Sequence, residues 1–203
     1  MNTILGKKVA ILAEDGFEEE ELTSPKKALE EAGARVYIVS PRKGKIKAWK
    51  HDHWSMELPV DVTLDEAKEE NYDALVLPGG VMNPDKLRVN QKAVAFASSF
   101  FEHQKPVAAI CHAPQLLIET GFLKNRKLTS YPSLRTDLEN AGAIWDDQEV
   151  IIDENLITSR SPRDLPAFNK QLIRTLGIEQ ALTAKDNNGH NEDGLKYKYS
   201  QSM

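Results

Sequence analysis

The chain holds one cysteine, and it stands beside a histidine in Pro106-Val107-Ala108-Ala109-Ile110-Cys111-His112-Ala113-Pro114-Gln115-Leu116-Leu117-Ile118. The run from Val107 to Ile110 is wholly apolar, which predicts a strand buried on both faces. Leu116, Leu117 and Ile118 then fall into a helical pattern. A side chain at such a strand-to-helix junction is presented at the rim where parallel α/β sheets bind ligands. A helix amino terminus favours an anion, so this setting predicts a stabilised thiolate and an acidified thiol at Cys111. The chemistry open to that sulfur is addition to an electrophilic carbon, with neighbours that relocate a proton and hold the developing oxyanion.

Three other stretches supply candidate neighbours. Phe17-Glu18-Glu19-Glu20-Glu21-Leu22 follows a first apolar run, Val9-Ala10-Ile11-Leu12-Ala13. Acidic residues at a helix start compensate its dipole, which accounts for most of the glutamates. Glu18 and Glu21, three apart, share a helical face and are the candidates for a carboxyl group above the same sheet edge as Cys111. Pro78-Gly79-Gly80 closes another buried run, Tyr72-Asp73-Ala74-Leu75-Val76-Leu77, and glycines there let backbone amides approach a bound group closely. His51-Asp52-His53 has two histidines spaced to share a metal on a strand, but no cysteine or carboxylate cluster adjoins them, so a solvated loop is expected. No metal site and no dinucleotide fingerprint is legible, and no cofactor is predicted. His190-Asn191-Glu192 has the His-x-Glu spacing of a glutamine amidotransferase triad, yet it sits in an unpatterned polar stretch and is read as a chance match.

The elements that would position these residues alternate between strand and helix. Arg35-Val36-Tyr37-Ile38-Val39-Ser40 is a second strand, after a helix that runs from the glutamates through Pro25 to Ala32 and stops at Gly33. Residues from about 43 to 60 read as an excursion of short strands, and Leu64 to Glu70 as a short acidic helix. Asn83 as cap and Pro84 at the first helical position open a helix that runs through Phe101. The Cys111 helix ends near Gly121. Lys127 to Tyr131 is a short extended segment, and Pro132 starts a helix that stops at Ala141-Gly142. Glu149 to Ser159 reads as a hairpin turning at Asp153 to Asn155. Ser161-Pro162 opens a last amphipathic helix through Leu165, Phe168, Leu172, Ile173 and Leu176, ended or kinked at Gly177. This pattern predicts a flavodoxin-like, doubly wound, mostly parallel α/β sheet sandwiched by helices. It forms one domain over residues 1–184, with a polar tail over 185–203.

Composition agrees with a globular protein: 203 residues, 40% hydrophobic, 28% charged, with a formal charge of -5 that gives no reason to expect nucleic acid or an anionic membrane as partner. A single cysteine excludes an internal disulfide framework, and the N-terminus lacks the apolar core of a signal peptide. A cytoplasmic protein is expected.

Taken in order over roughly residues 7 to 177, the motifs resemble the DJ-1/PfpI superfamily, on the branch of the PfpI intracellular peptidase and its bacterial stress-protein relatives. They are Phe17-Glu18-Glu19-Glu20-Glu21-Leu22, Leu77-Pro78-Gly79-Gly80, Ala109-Ile110-Cys111-His112-Ala113-Pro114-Gln115, Thr129-Ser130-Tyr131-Pro132, and Thr158-Ser159-Arg160 before Asp164-Leu165-Pro166-Ala167-Phe168-Asn169. The resemblance implies Cys111 as nucleophile at a strained elbow, Glu21 as the carboxyl beside the sulfur with Glu18 second, and the amides of Gly80 and His112 as an oxyanion hole. It implies that Tyr131 faces the substrate and that His112 is oriented by Asp85 from a neighbouring subunit, in a homodimer or homohexamer. Asp85 stands where the peptidase has Glu, on a loop one residue longer, and Ala113 replaces a usual Gly. The implied functions are a cysteine-dependent stress-response enzyme acting on reactive carbonyls (a glyoxalase III-type or protein deglycase activity on small dicarbonyls or glycated proteins), an intracellular cysteine peptidase acting on unfolded protein, or a non-catalytic oxidative-stress sensor or chaperone.

Overall fold

A computed structural model describes residues 4–188, with side-chain surroundings described as far as Gly177. In chain order the strands are β1 (Lys8–Leu12), β2 (Phe17–Glu18), β3 (Arg35–Ser40), β4 (Lys45–Lys50), β5 (His53–Pro59), β6 (Val62–Thr63), β7 (Ala74–Leu77), β8 (Val107–Ile110), β9 (Lys127–Leu128), β10 (Ile144–Trp145), β11 (Val150–Asp153) and β12 (Leu156–Ser159). The helices are α1 (Glu19–Glu31), α2 (Met82–Arg88), α3 (Gln91–Glu102), α4 (Pro114–Ile118), α5 (Arg135–Asn140) and α6 (Leu165–Asn188).

A seven-stranded sheet has the order β11-β12-β8-β7-β1-β3-β6. Every neighbouring pair in it is parallel except β11 with β12. The chain winds from β1 outward to β3 and β6, then returns to lay β7 and β8 on the other side. The topological switch point therefore lies between β1 and β7, and ligands of such sheets bind beyond the carboxyl ends of the strands there. Glu14, Pro78-Gly79-Gly80 and Cys111 all follow strands at that edge.

Strands buried on both faces need apolar residues at every position, and these have them. Ala10, Leu12, Leu75, Leu77 and Ala109 point to one face, where Phe96 and Phe100 of α3 and Leu116 and Leu117 of α4 cover them. Val9, Ile11, Val76, Ala108 and Ile110 point to the other, beneath Leu22 and Leu29 of α1 and Phe168, Leu172 and Leu176 of α6. The doubly wound, mostly parallel sheet expected from the sequence is the fold observed.

Several boundaries differ from the sequence reading, each for a local reason. The helix expected from Asn83 to Phe101 is two helices. Asn90 breaks it by accepting from the amides of Lys92 at 3.0 Å and Ala93 at 3.3 Å, which caps α3. Asn83 is not a cap; it lies inside α2, and its side chain is spent on the loops around the site. Leu64 to Glu70 is not a helix: the amides of Glu66 and Ala67 both return to the Thr63 carbonyl, and a single 3₁₀ turn follows at Glu69–Asn71. Of the segment Lys127 to Tyr131 only β9 is laddered, parallel to β10. α6 runs through Gly177 to Asn188, so residues 185–188, read as the start of the tail, are helical. The rest of that tail, with His190 and Glu192, lies outside the described residues. The excursion over 43–60 is an antiparallel β4–β5 hairpin, joined along β4 by β2. No helix among the described residues is long and apolar enough to cross a membrane.

Candidate active site

Cys111 sits on the turn between β8 and α4 with φ at +62°, a left-handed conformation that side-chain-bearing residues adopt only under constraint. The constraint is visible on both sides. The Cys111 amide donates to the Ser159 carbonyl at 3.0 Å, continuing the β8–β12 ladder, and its carbonyl accepts from the Tyr131 amide at 2.8 Å. The bend lifts the sulfur off the strand end towards the sheet edge, and the residue, 7% exposed, lines a cavity of about 610 Å³.

Of the four glutamates that open α1, one points inward. Glu21 has no exposed surface, while Glu19 pairs with Lys50 at 3.0 Å and Glu20 faces solvent. Glu21 Oε2 accepts from the Gly79 amide at 2.9 Å. Gly79 packs against both the carboxyl and the elbow. A Cβ there would lie 2.5 Å from Glu21 Oε2, 2.7 Å from the Ile110 carbonyl and 2.8 Å from Cys111 Cβ, so only glycine fits between them. Gly80, at φ +77°, is equally pinned, its missing Cβ directed at the Gly16 carbonyl 2.5 Å away. The Gly80 and His112 amides both aim at the Cys111 sulfur. Asn83 holds this turn in place: Oδ1 accepts from the Glu14 amide at 2.7 Å, and Nδ2 donates to the Pro78 carbonyl at 2.7 Å.

The electrostatics differ from the acidified thiol expected at a helix terminus. Burial pushes the Cys111 thiol upward, and so does the carboxyl of Glu21; the amides of Gly80 and His112 pull it down by less. The α4 helix has five residues, too few aligned peptide dipoles to offset that burial. Burial also raises Glu21 from the ordinary 4.5 to about 8, its interaction with Cys111 and the Gly79 amide opposing and the Glu18 charge assisting. Glu21 Oε1 is enclosed with no hydrogen-bond partner among the described residues, which favours the neutral carboxylic acid over an undersolvated anion. At neutral pH the pair holds its protons.

His112 lies beside the sulfur, with Nδ1 3.1 Å from Sγ. Burial lowers its pKa, so the ring is neutral. Nε2 is 3.3 Å from the Ser133 hydroxyl. A proton on Nε2, donated to Ser133, leaves Nδ1 free to accept from the thiol. The Tyr131 ring stacks on His112 with centroids 4.5 Å apart and keeps 41% of its surface exposed to the cavity mouth. Glu18 is half-buried at the cavity wall, its Oε1 3.5 Å from the His51 amide. Asp85 is on the exposed side of α2, outside the cavity, with no polar partner among the described residues.

The structure thus brings Cys111, His112, Glu21, Glu18, Gly79, Gly80 and Tyr131 together and leaves Asp85 apart within one chain. It adds residues that the sequence reading passed over, Ser133 on His112 and Trp49, Trp54 and Met82 on the cavity wall, and gives different places to three it had named: Asn83 under the glycine turn, and His51 and Pro162 on that wall. His51 forms the tip of the β4–β5 hairpin, at φ +55°, and Asp52 pairs with His53 at 2.8 Å. Two tryptophans in one hairpin were the available signal for an aromatic wall.

A doubly wound α/β sheet with a cysteine elbow at its switch point, a buried carboxyl beside the sulfur and two amides aimed at it defines a class of thiol-bearing flavodoxin-like proteins. Within that class, residues 7–175 match the DJ-1/PfpI family, and the chain belongs to it. It is 47% identical over 169 residues to "Deglycase TK1284" of Thermococcus kodakarensis, covering 83% of this chain and 99% of that one. It is 44% identical over 172 residues to "Putative cysteine protease YraA" of Bacillus subtilis, covering 85% and 99%. Among solved structures, a two-domain protein from Anabaena variabilis containing DJ-1/ThiJ/PfpI-like and ferritin-like domains superposes with a TM-score of 0.80 at 40% identity, over 84% of this chain and 48% of that one.

Proposed function

We propose that the protein is a cysteine-dependent enzyme acting on reactive carbonyls, either small dicarbonyls such as methylglyoxal and glyoxal or their early adducts on proteins. The observation that carries this reading is the protonated Glu21 packed, beside Gly79, against a sulfur that faces two amide donors. A deglycase among the relatives supports it.

With methylglyoxal, Cys111 Sγ adds to the aldehyde carbon as His112 Nδ1 takes the thiol proton. The new oxyanion lies against the amides of Gly80 and His112 and takes the proton of Glu21, giving a hemithioacetal and leaving Glu21 ionised, while His112 keeps the thiol proton until sulfur is released. Ionised Glu21 removes the hydrogen from the carbon bonded to sulfur, forming an enediolate, and returns it to the neighbouring carbon, while the hydroxyl proton passes from the first oxygen to the second. The product is a lactoyl thioester. Water cleaves it, so methylglyoxal and water become lactic acid and the thiol is restored, with no net oxidation. Glu18, Gly80 and Tyr131 line the approach, with Gly79 behind them donating to Glu21. The test is turnover of methylglyoxal, glyoxal, a glycated amino acid and casein by wild type and Cys111→Ala. Carbonyl consumption that vanishes in a folded Cys111→Ala variant is the expected result; unaltered turnover in that variant removes the proposal.

Peptide hydrolysis is the second reading, favoured by the 3.1 Å contact between Sγ and His112 Nδ1 and by the name of the B. subtilis relative. In it His112 acts as base and then returns the proton to the leaving amine, with Asp85 of a neighbouring copy orienting the ring in a homodimer or hexamer. Casein cleavage by wild type that is lost in Asp85→Ala selects this reading.

A further inference from the structure

The cavity is much larger than the smallest substrates. At about 610 Å³ it falls in the range that encloses drug-sized ligands, whereas methylglyoxal has five heavy atoms. One side of the cavity is built by the β4–β5 hairpin. That hairpin pairs Trp49 directly opposite Trp54, although Lys47 pairs with Glu57, so β5 carries an extra residue between the two pairings. Such a bulge re-aims the side chains beside it. Here it brings the two indoles together at 5.3 Å, with their planes at 87°. Trp49 Nε1 is spent inside the hairpin on the His51 carbonyl at 2.9 Å, so the ring carbons remain for the cavity. Trp54 keeps 43% of its surface exposed, and it already attracts a cation, the Lys47 ammonium 5.7 Å from its centroid.

The charge of this wall is equally one-sided. Glu18 lies on the same cavity surface as the two indoles, and none of the lysines and arginines of the described residues forms a salt bridge with it; Lys50, on the hairpin, is taken by Glu19. The titratable side chains lining the cavity are Glu18, Glu21, His51, Cys111, His112 and Tyr131, and none is a permanent cation.

We propose that this wall is a side-chain subsite that selects a planar cation, so that the favoured substrate is a carbonyl adduct carried on an arginine side chain. This rests on the carbonyl-directed reading of Cys111 for its chemistry, but not for its binding. A guanidinium is flat and weakly hydrated, stacks on indole faces, and meets a carboxylate with two parallel hydrogen bonds. A lysine ammonium offers the charge without the plane, and a citrulline side chain the plane without the charge.

The test is a fluorescence titration of wild-type protein with Nα-acetyl methylamides of arginine, lysine and citrulline, none of which carries a carbonyl for Cys111 to attack. Two of the three tryptophans of the chain line the cavity and report occupancy. Arginine is expected to bind about tenfold more tightly than citrulline and at least about threefold more tightly than lysine. Trp54→Leu reduces the arginine preference over citrulline about tenfold, Trp54→Phe retains most of it, and Glu18→Gln removes it. Because Trp54 is half in solvent, these variants fold as wild type does, which thermal unfolding confirms. Equal binding of arginine and citrulline, or equal losses in Trp54→Leu and Trp54→Phe, overturns the subsite. Loss of Cys111-dependent methylglyoxal turnover in wild type would overturn only the catalytic reading, since binding of the blocked amino acids is read separately.

Discussion

Replacing Glu21 with glutamine removes the one buried carboxyl whose proton the site retains, and the consequence for stability depends on pH in a definite direction. In the unfolded chain the carboxyl titrates near 4.5, and in the folded chain near 8. Below 4.5 both states are protonated and the group's contribution to stability is fully present. Between 4.5 and 8 only the folded state holds the proton, so stability falls by about 1.4 kcal/mol for each pH unit. The contribution is lost as pH rises through the folded value, by which point the fall has reached roughly 5 kcal/mol, trimmed to roughly 2 to 5 kcal/mol by relaxation around the anion. Glutamine fills the same space, its carbonyl can accept from the Gly79 amide, and it does not titrate. The difference in unfolding free energy between Glu21→Gln and wild type should therefore climb steadily from pH 5 to pH 8, leaving the variant the more stable protein at pH 8 and inactive. Urea unfolding of both proteins at one fixed concentration, repeated at pH 5, 6, 7 and 8, measures that difference. Parallel stability curves across the interval would refute a neutral, buried Glu21.

Gly79→Ala places a methyl group within 2.8 Å of Glu21 Oε2, the Ile110 carbonyl and Cys111 Cβ; a melting-temperature loss corresponding to about 1 to 3 kcal/mol, with kcat down by about 100-fold, is the expected outcome in calorimetry and steady-state kinetics. The rate of carbonyl turnover should rise towards alkaline pH with an apparent pKa near 8, the first ionisation of the Glu21–Cys111 pair. Rates from pH 6 to 9.5 check this, and a profile that is flat or falling through pH 8 contradicts it.

The sheet was legible because parallel strands buried on both faces have few compositional options: Val9 to Ala13, Ala74 to Leu77 and Val107 to Ile110 are continuous apolar runs, and the helices between them carry the 3.6-residue period. The elbow was legible for the same reason, since an apolar run that passes into a helical pattern leaves one residue at the bend. What sequence could not supply was competition between local signals. Asn83 before Pro84 has the form of a helix cap, yet the amide of Glu14 and the carbonyl of Pro78, partners that no local pattern reveals, claim its side chain. Helix polarity at Cys111 predicts an acidic thiol, yet that sign was reversed by burial, a property of the packed molecule. Ser133 reaches His112, and Trp54 reaches the cavity, through a loop and a bulge whose geometry no periodicity encodes.

The reversed sign changes how the site has to work. A thiol that ionised alone would wait as a thiolate, open to oxidation between turnovers. Here neither group ionises readily by itself, because each anion would be desolvated; the carboxyl raises the thiol further, and the thiol only partly offsets the rise of the carboxyl. When the pair gives up its first proton, the remaining one has two homes. On sulfur it leaves a carboxylate stabilised by the Gly79 and Gly80 amides and by the thiol itself. On Glu21 it leaves a thiolate facing the amides of Gly80 and His112. The first arrangement is the more populated, since the carboxyl titrates below the thiol; the second is the one competent to attack a carbonyl, and attack passes the negative charge to an oxygen held by those same amides. The carboxyl is then left as an acid that has still to act as a base, which requires it to lose its proton to the nascent oxyanion. Nucleophile and base are thus used one after the other with a single negative charge, and the depth at which Glu21 is buried enforces that order.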